Sequence, residues 1–254
     1  IDRHPGSAGP VRGGSGLTGF ARGFRYAFAG LGMLRRPGLK RFVVIPLLVN
    51  TLVFGSAGFL ALDQLSRFTG WAAARLPDWL DWLTWLIWPL AILAFLVAVW
   101  VLFTVVANIL ASPFNGLLSE RVARLEGHVT DAPPTSLVQD LVAAPVNEVR
   151  KLASFALLAI PLLLVSVIPV VNAAASFLWL IFGAWVLAVE YMDYPLGNQG
   201  MAFRAQRALL RERRGLALGF GAGVLLMTTV PVLNFAAMPA AVSGATLLWL
   251  REFA

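Results

Sequence analysis

The chain has 254 residues, of which 59% are hydrophobic and only 13% charged; a soluble domain carries roughly 45–50% apolar and about 25% charged residues. With a mean hydropathy of +0.77 and long charge-free stretches, this composition indicates a helical integral membrane protein. It excludes a soluble enzyme, a disulfide-stapled secreted scaffold and a disordered tail. Cysteine is absent, which removes disulfides, iron–sulfur clusters and thiol nucleophiles. The two histidines, His4 and His128, are too few and too scattered for a metal site. The net charge of +7 fits a positive cytoplasmic face with anionic lipid or an anionic substrate as partner, not nucleic acid.

Residues 1–16 are rich in Gly, Pro and Ser, lack the apolar core of a signal peptide, and are expected to form a disordered arm ahead of a single helical membrane domain, 17–254. Leu17, Phe20, Phe24, Phe28, Leu31 and Leu34 then recur at helical spacing, interrupted by Arg22 and Arg25. This predicts an amphipathic helix lying in the membrane interface; a helix packed on the rest of the protein is the alternative. The first charge-free run, Phe42–Leu62, has 21 residues, enough to span a bilayer of ~30 Å. The second extends from Trp82 to Ser119. If Pro113 ends its helix, about 30 residues or ~45 Å remain, so that helix should tilt or project. Trp71, Trp79, Trp82, Trp85 and Trp88 mark one membrane surface, with stacking of a substrate as the other use of such rings. Residues 113–151 hold Glu120, Glu126, Asp131, Asp140 and Glu148 and are interrupted at Pro133 and Pro134, which predicts two short helices in water or at the interface.

Two further charge-free runs, Leu152–Val189 and Gly215–Leu250, are too long for one span and short for two, and each carries a breaker near its middle. IPVVNAAA (168–175) matches VPVLNFAA (230–237), so that Pro169 and Asn172 align with Pro231 and Asn234, 62 residues apart in both cases. This reads as an internal repeat. Arms of about 16–18 residues, ~24–27 Å as helix, leave tight pairs of short spans or re-entrant hairpins. A Pro–x–x–Asn apex suits either, because irregular backbone at membrane depth must be satisfied by protein or a wet cavity. Paired interrupted segments also point to a transport site. Residues 1–41 carry eight basic residues against one acid, 190–214 five against three, and 63–81 two against three. The positive-inside rule therefore puts both termini, 113–151 and 190–214 in the cytoplasm and 63–81 outside.

The sharpest motif is RRPGLKRF (35–42). Pro37 suits the first helical position, which would leave the amides of Gly38, Leu39 and Lys40 without intrahelical partners. Gly38 lets an anion approach the backbone, and Arg36, Lys40 and Arg41 add charge. The combination suits a tetrahedral oxyanion, sulfate or phosphate; a juxtamembrane cluster for lipid headgroups is the competing use. In PFNGLLSERVARLEG (113–127), Pro113, Asn115 and Gly116 read as a turn, and Glu120 and Arg124 sit four apart on the following helix, where an ordinary solvated helix is an equally simple account. In EYMDYPLGNQGMAFRAQR (190–207), Glu190, Asp193 and Arg204 stand at the mouth of an apolar run and are candidates for gating or proton relay, or for a structural salt bridge. No nucleophile–base set, Walker loop, metal-ligand cluster or cofactor motif is present.

Taken together, RRPGLKRFVVIPLLVN (35–50), LPDWLDWLTWLIWPL (76–90), ANILASPFNGLLSERV (107–122) and EYMDYPLGNQGMAF (190–203) resemble the CysZ family of bacterial sulfate permeases, over nearly the whole chain from about residue 17. The resemblance implies an oligomeric inner-membrane protein that admits sulfate for assimilation into cysteine. It implies an all-helical fold of two long transmembrane helices and two helix pairs that penetrate only partway. It also implies a sulfate motif at Gly38, Leu39, Lys40 and Arg41, with Glu120 at the family's acidic position. Lys40 stands where arginine is common in the family; it keeps the charge and loses the bidentate fork. The expected function is passage of sulfate along a polar path bordered by the Pro–Asn apices and by Glu120, Arg124, Glu190, Asp193 and Arg204, without enzymatic chemistry, cofactor or nucleic acid. A non-transporting scaffold that binds anionic lipid and partner subunits is the alternative, and a membrane enzyme acting on lipid phosphate a distant third.

Overall fold

The computed structural model describes residues 16–74, 84–128, 137–168 and 171–254. The described residues form eight α-helices and no strand: α1 (Gly16–Met33), α2 (Arg41–Ala73), α3 (Thr84–Leu125), α4 (Leu137–Val167), α5 (Asn172–Gly197), α6 (Phe203–Glu212), α7 (Arg214–Thr229) and α8 (Pro231–Glu252). Expectations that fall on the amino-terminal arm before Gly16 (His4 among them), on Trp79 and Trp82, on Asp131, Pro133 and Pro134, and on Pro169 lie outside the described residues. Packing divides the chain into two compact units, one formed by Gly38–Leu117 and the other by Ile1–Pro37 with Leu118–Ala254.

The first unit contains α2 and most of α3. α2 has 33 residues, ~50 Å of helix, and continues past the charge-free run through Asp63 and Arg67. α3 has 42 residues, ~63 Å, and corrects two expectations. Pro113 does not end the helix, and Pro113, Asn115 and Gly116 do not form a turn, because all three are helical. A proline deletes one backbone hydrogen bond, and strongly helical turns on both sides carry the helix past it. For the same reason 113–151 does not hold two short helices. Its two halves are the end of α3 and the beginning of the 31-residue α4.

The second unit is built around α8, whose residues from Pro239 to Trp249 are continuously buried. α1, α5 and α7 surround it. The face of α1 that packs is not the one traced by its large apolar residues. Gly19, Gly23, Ala27, Gly30 and Met33 are buried, while Leu17 and Phe20 are exposed. Small residues let helix backbones approach closely. A Cβ on Gly23 would fall on the carbonyl oxygen of Leu216, and one on Gly30 on that of Ala240. In return, a Cβ on Gly219 would meet the Phe20 carbonyl. The pairs Gly16/Gly215, Phe20/Gly219 and Ala27/Gly223 run in step, so α1 and α7 are parallel; Ala27/Gly244 and Gly30/Ala240 run in opposition, so α1 and α8 are antiparallel. Gly221 packs on Ala184 of α5 in the same manner.

The chain turns between α4 and α5 and between α7 and α8. At the two turns the amides of Asn172 and Asn234 donate to the carbonyls of Ile168 and Val230, at 3.1 and 2.9 Å. The matched repeat positions thus make matched main-chain bonds. Pro231 takes the first turn of α8. The asparagine side chains do not cap either helix. Both point outward, beside Val167 and Val232, which are 81% and 80% exposed. Near the end of α7 the Thr228 and Thr229 hydroxyls donate to the Leu225 and Leu226 carbonyls, at 2.7 and 2.8 Å. Across the other turn, Trp179 Nε1 donates to Ser166 Oγ at 3.0 Å and holds α4 to α5.

Candidate anion-binding site and charge clusters

α1 closes with Arg35 and Arg36 amides bonded to Gly32 and Met33 carbonyls, at 3.2 and 2.9 Å. Gly38 then adopts φ +85°, a left-handed conformation that costs other L-residues about 1–2 kcal/mol. A right-handed helix cannot pass through that residue. Helix α2 therefore begins at Arg41, and Pro37 lies in the preceding turn, not at the first helical position. The opening turn of α2 uses the amides of Phe42 and Val43, bonded to Leu39 and Lys40 carbonyls at 3.0 Å. Among the described residues, none accepts a hydrogen bond from the amides of Gly38, Leu39, Lys40 or Arg41. The space over the Gly38 α-carbon is open to 4 Å. Leu39 is fully buried and anchors the turn, while Lys40 and Arg41 are exposed. Arg41 lies over the Phe42 ring, 5.1 Å from its centroid. The turn thus combines main-chain amides that no described residue accepts with two exposed cations next to them in sequence, the kinds of donor an oxyanion takes.

Arg36 is committed elsewhere. It pairs with Glu126 at 3.2 Å, and Glu126 also takes Arg251 of α8 at 3.2 Å. One turn before this pair, Glu120 and Arg124 join at 3.0 Å on the exposed side of α3. Beside them the buried hydroxyls of Ser119 and Thr246 meet at 2.9 Å.

The candidates at the base of the α4–α5 pair separate. Glu190 and Asp193 converge on Lys151, at 2.9 and 3.4 Å, and the Lys151 side chain is only 6% exposed. Gln206 of α6 completes the group, its Nε2 donating to Asp193 Oδ1 and to the Met201 carbonyl, both at 2.9 Å. Arg204 is exposed on α6 and does not join them. The sequence reading missed Lys151, although its place as the last charge before the Leu152–Val189 run is the signal that marks it. It also missed Glu252, whose 7%-exposed carboxylate takes Arg22 at 3.2 Å and Arg213 at 3.1 Å. The Tyr26 hydroxyl donates to the same carboxylate, and burial, with the Glu252 charge added, pushes its pKa above the usual tyrosine value. These pairs are contacts between helices distant in sequence, so no local pattern reveals them.

Lys151→Met should destabilise the unit. It leaves Glu190 and Asp193 facing each other, a like-charge arrangement. Because both carboxylates are more than a third exposed, solvent screening limits the cost to about 1–2 kcal/mol. A lower Tm in detergent, partly recovered by adding Glu190→Gln, is the expected outcome. An unchanged Tm would make the ion pair energetically silent.

Large apolar side chains are exposed along α2, α3, α4 and α5 and at the α7–α8 turn, where Phe235 is 74% exposed. No water-soluble surface tolerates so much contiguous apolar area. Two helices of the described residues, Ala174–Gly197 and Pro231–Glu252, are also long and apolar enough to cross a bilayer. The class is therefore an all-helical membrane protein. The family follows from comparison with known proteins. Residues 26–239 match the family described as Sulfate transporter CysZ/Etoposide-induced protein 2.4, and the chain belongs to that family. It is 43% identical to the sulfate transporter CysZ of Pseudomonas paraeruginosa, over 91% of this chain and 95% of that one. It is 44% identical to that of Pseudomonas fluorescens, over 91% and 94%, and 42% identical to that of Pectobacterium atrosepticum, over 91% and 85%.

Proposed function

We propose that the protein is a sulfate permease of the bacterial inner membrane that supplies sulfate for assimilation into cysteine. The observation that carries this reading is the Gly38–Arg41 turn, with four amides that no described residue accepts and two exposed cations, in a chain whose relatives are named sulfate transporters. Sulfate would bind through the amides of Gly38 and Leu39 with Lys40 and Arg41. The inside-negative potential opposes entry of a dianion by about 4.6 kcal/mol per 100 mV, so net uptake requires consumption inside or a coupled cation. Radiolabelled sulfate flux into proteoliposomes tests the reading. Flux above that of empty vesicles supports it, and flux equal to theirs would leave a non-transporting scaffold.

The long helices α2 and α3 cross the membrane in this reading, with both termini in the cytoplasm, and the α4–α5 and α7–α8 pairs enter partway. In support, α7 has 16 residues and the apolar part of α4, Lys151–Val167, has 17, ~24–26 Å of helix against a hydrocarbon core of ~30 Å. The shorter arm of each pair limits its depth. The absence of native cysteine allows single cysteines to be placed at Val167 and Val232. A membrane-impermeant thiol reagent added from the periplasmic side should label neither, and labelling of either would make that pair a complete crossing. The resemblance also supports a homo-oligomer, in which the exposed apolar turns would be covered by neighbouring copies or lipid.

A further inference from the structure

Away from the anion turn, α1, α5 and α7 enclose an apolar groove of about 370 Å³. Leu218, Ala222 and Leu225 of α7 form its floor, Ile181 and Ala184 of α5 one wall, and Phe20 of α1 the other. Residues 214, 218, 222 and 225 follow at helical steps of four, four and three, so Arg214 stands on the groove face of α7, one turn before Leu218. The Nε of Arg214 donates to the Arg211 carbonyl at 3.2 Å, which ties it to the end of α6 that carries Arg211. Both arginines are exposed, and no described carboxylate pairs with either; Arg213 between them is occupied by Glu252.

An apolar groove along α7, with two exposed arginines at the amino-terminal end of that helix, matches one ligand chemistry. We propose that this groove binds an anionic phospholipid, its phosphate against Arg211 and Arg214 and one acyl chain along Leu218, Ala222 and Leu225. A zwitterionic lipid would leave the paired cations without a net counter-charge. The site rests on the protein being in a membrane and is independent of the cargo.

Full-length protein purified in detergent and titrated with phosphatidylglycerol or phosphatidylcholine under native mass spectrometry tests the site. Arg211→Gln with Arg214→Gln should weaken phosphatidylglycerol about twenty-five-fold, at roughly fivefold per basic residue near an anionic headgroup, and leave phosphatidylcholine unchanged. Ala222→Trp should weaken both lipids, and Ala222→Leu serves if the tryptophan variant does not fold. Undiminished phosphatidylglycerol binding in the arginine variant, or an equal loss for both lipids, would overturn the proposal. So would an Ala222 variant that dissociates an oligomer while retaining phosphatidylglycerol, because that result assigns the groove to a second copy. The titration contains no sulfate, so its outcome is separable from that of the flux measurement.

Discussion

Replacing Lys40 and Arg41 together with alanine is expected to weaken sulfate binding by about a hundredfold while the protein remains folded. Each hydrogen bond from a charged donor contributes roughly 1.5–3 kcal/mol. Both side chains are exposed, so the lower value applies to each, and two of them sum to ~3 kcal/mol. Neither residue is joined to a described carboxylate, so their removal leaves no buried charge unpaired. Leu39, the buried anchor of the turn, is untouched. Calorimetry in detergent measures the affinity, and flux in proteoliposomes measures the consequence for transport. Unaltered sulfate affinity in the double variant would reject the Gly38–Arg41 turn as the binding site. The single Lys40→Arg change is informative in the opposite direction, because it restores a bidentate donor and should tighten binding if the side chain faces the anion.

The second large effect concerns the helix that precedes this turn. Gly23→Ala in α1 should destabilise the protein by about 1–3 kcal/mol, the range for overpacking a close-packed interface. Helix propensity alone predicts the opposite sign, since alanine exceeds glycine by about 1 kcal/mol in a helix interior. The added Cβ would fall on the Leu216 carbonyl, with the Phe220 amide 2.8 Å away, and main chain on both sides cannot yield as a side chain would. Gly32→Ala is the control. It lies on the exposed side of the same helix with nothing within 4 Å of the added atom, so propensity should prevail and raise the Tm. Opposite shifts for the two variants would establish close backbone approach as the force that docks α1. A stabilised Gly23→Ala protein would refute it.

These two predictions illustrate how differently site and packing were written in the chain. RRPGLKRF suggests an oxyanion turn from local features alone: a residue free of Cβ, adjacent amides and adjacent cations. Even there the helix start was misplaced, since the left-handed conformation of Gly38, and not proline preference, sets where α2 can begin. Pro113 failed as a stop signal for a related reason, its lost hydrogen bond being outweighed by the turns that flank it. The docking face of α1 was hidden differently. Phe20, Phe24 and Phe28 carry the hydropathy signal, but the helix packs through Gly19, Gly23 and Gly30, whose spacing matters only when a matching row, Gly215, Gly219 and Gly223, faces it.

The amino-acid sequence by itself determined that this is a helical membrane protein and where its long apolar runs lie. Transfer free energy belongs to each residue and its nearest neighbours, so it can be summed along a chain. The tertiary structure alone decided that Glu190 and Asp193 share Lys151, that Glu252 draws in Arg22 and Arg213, and that two glycine rows meet. Each of those depends on shape and charge matched between helices far apart in the chain, and complementarity of that kind has no counterpart in any single segment.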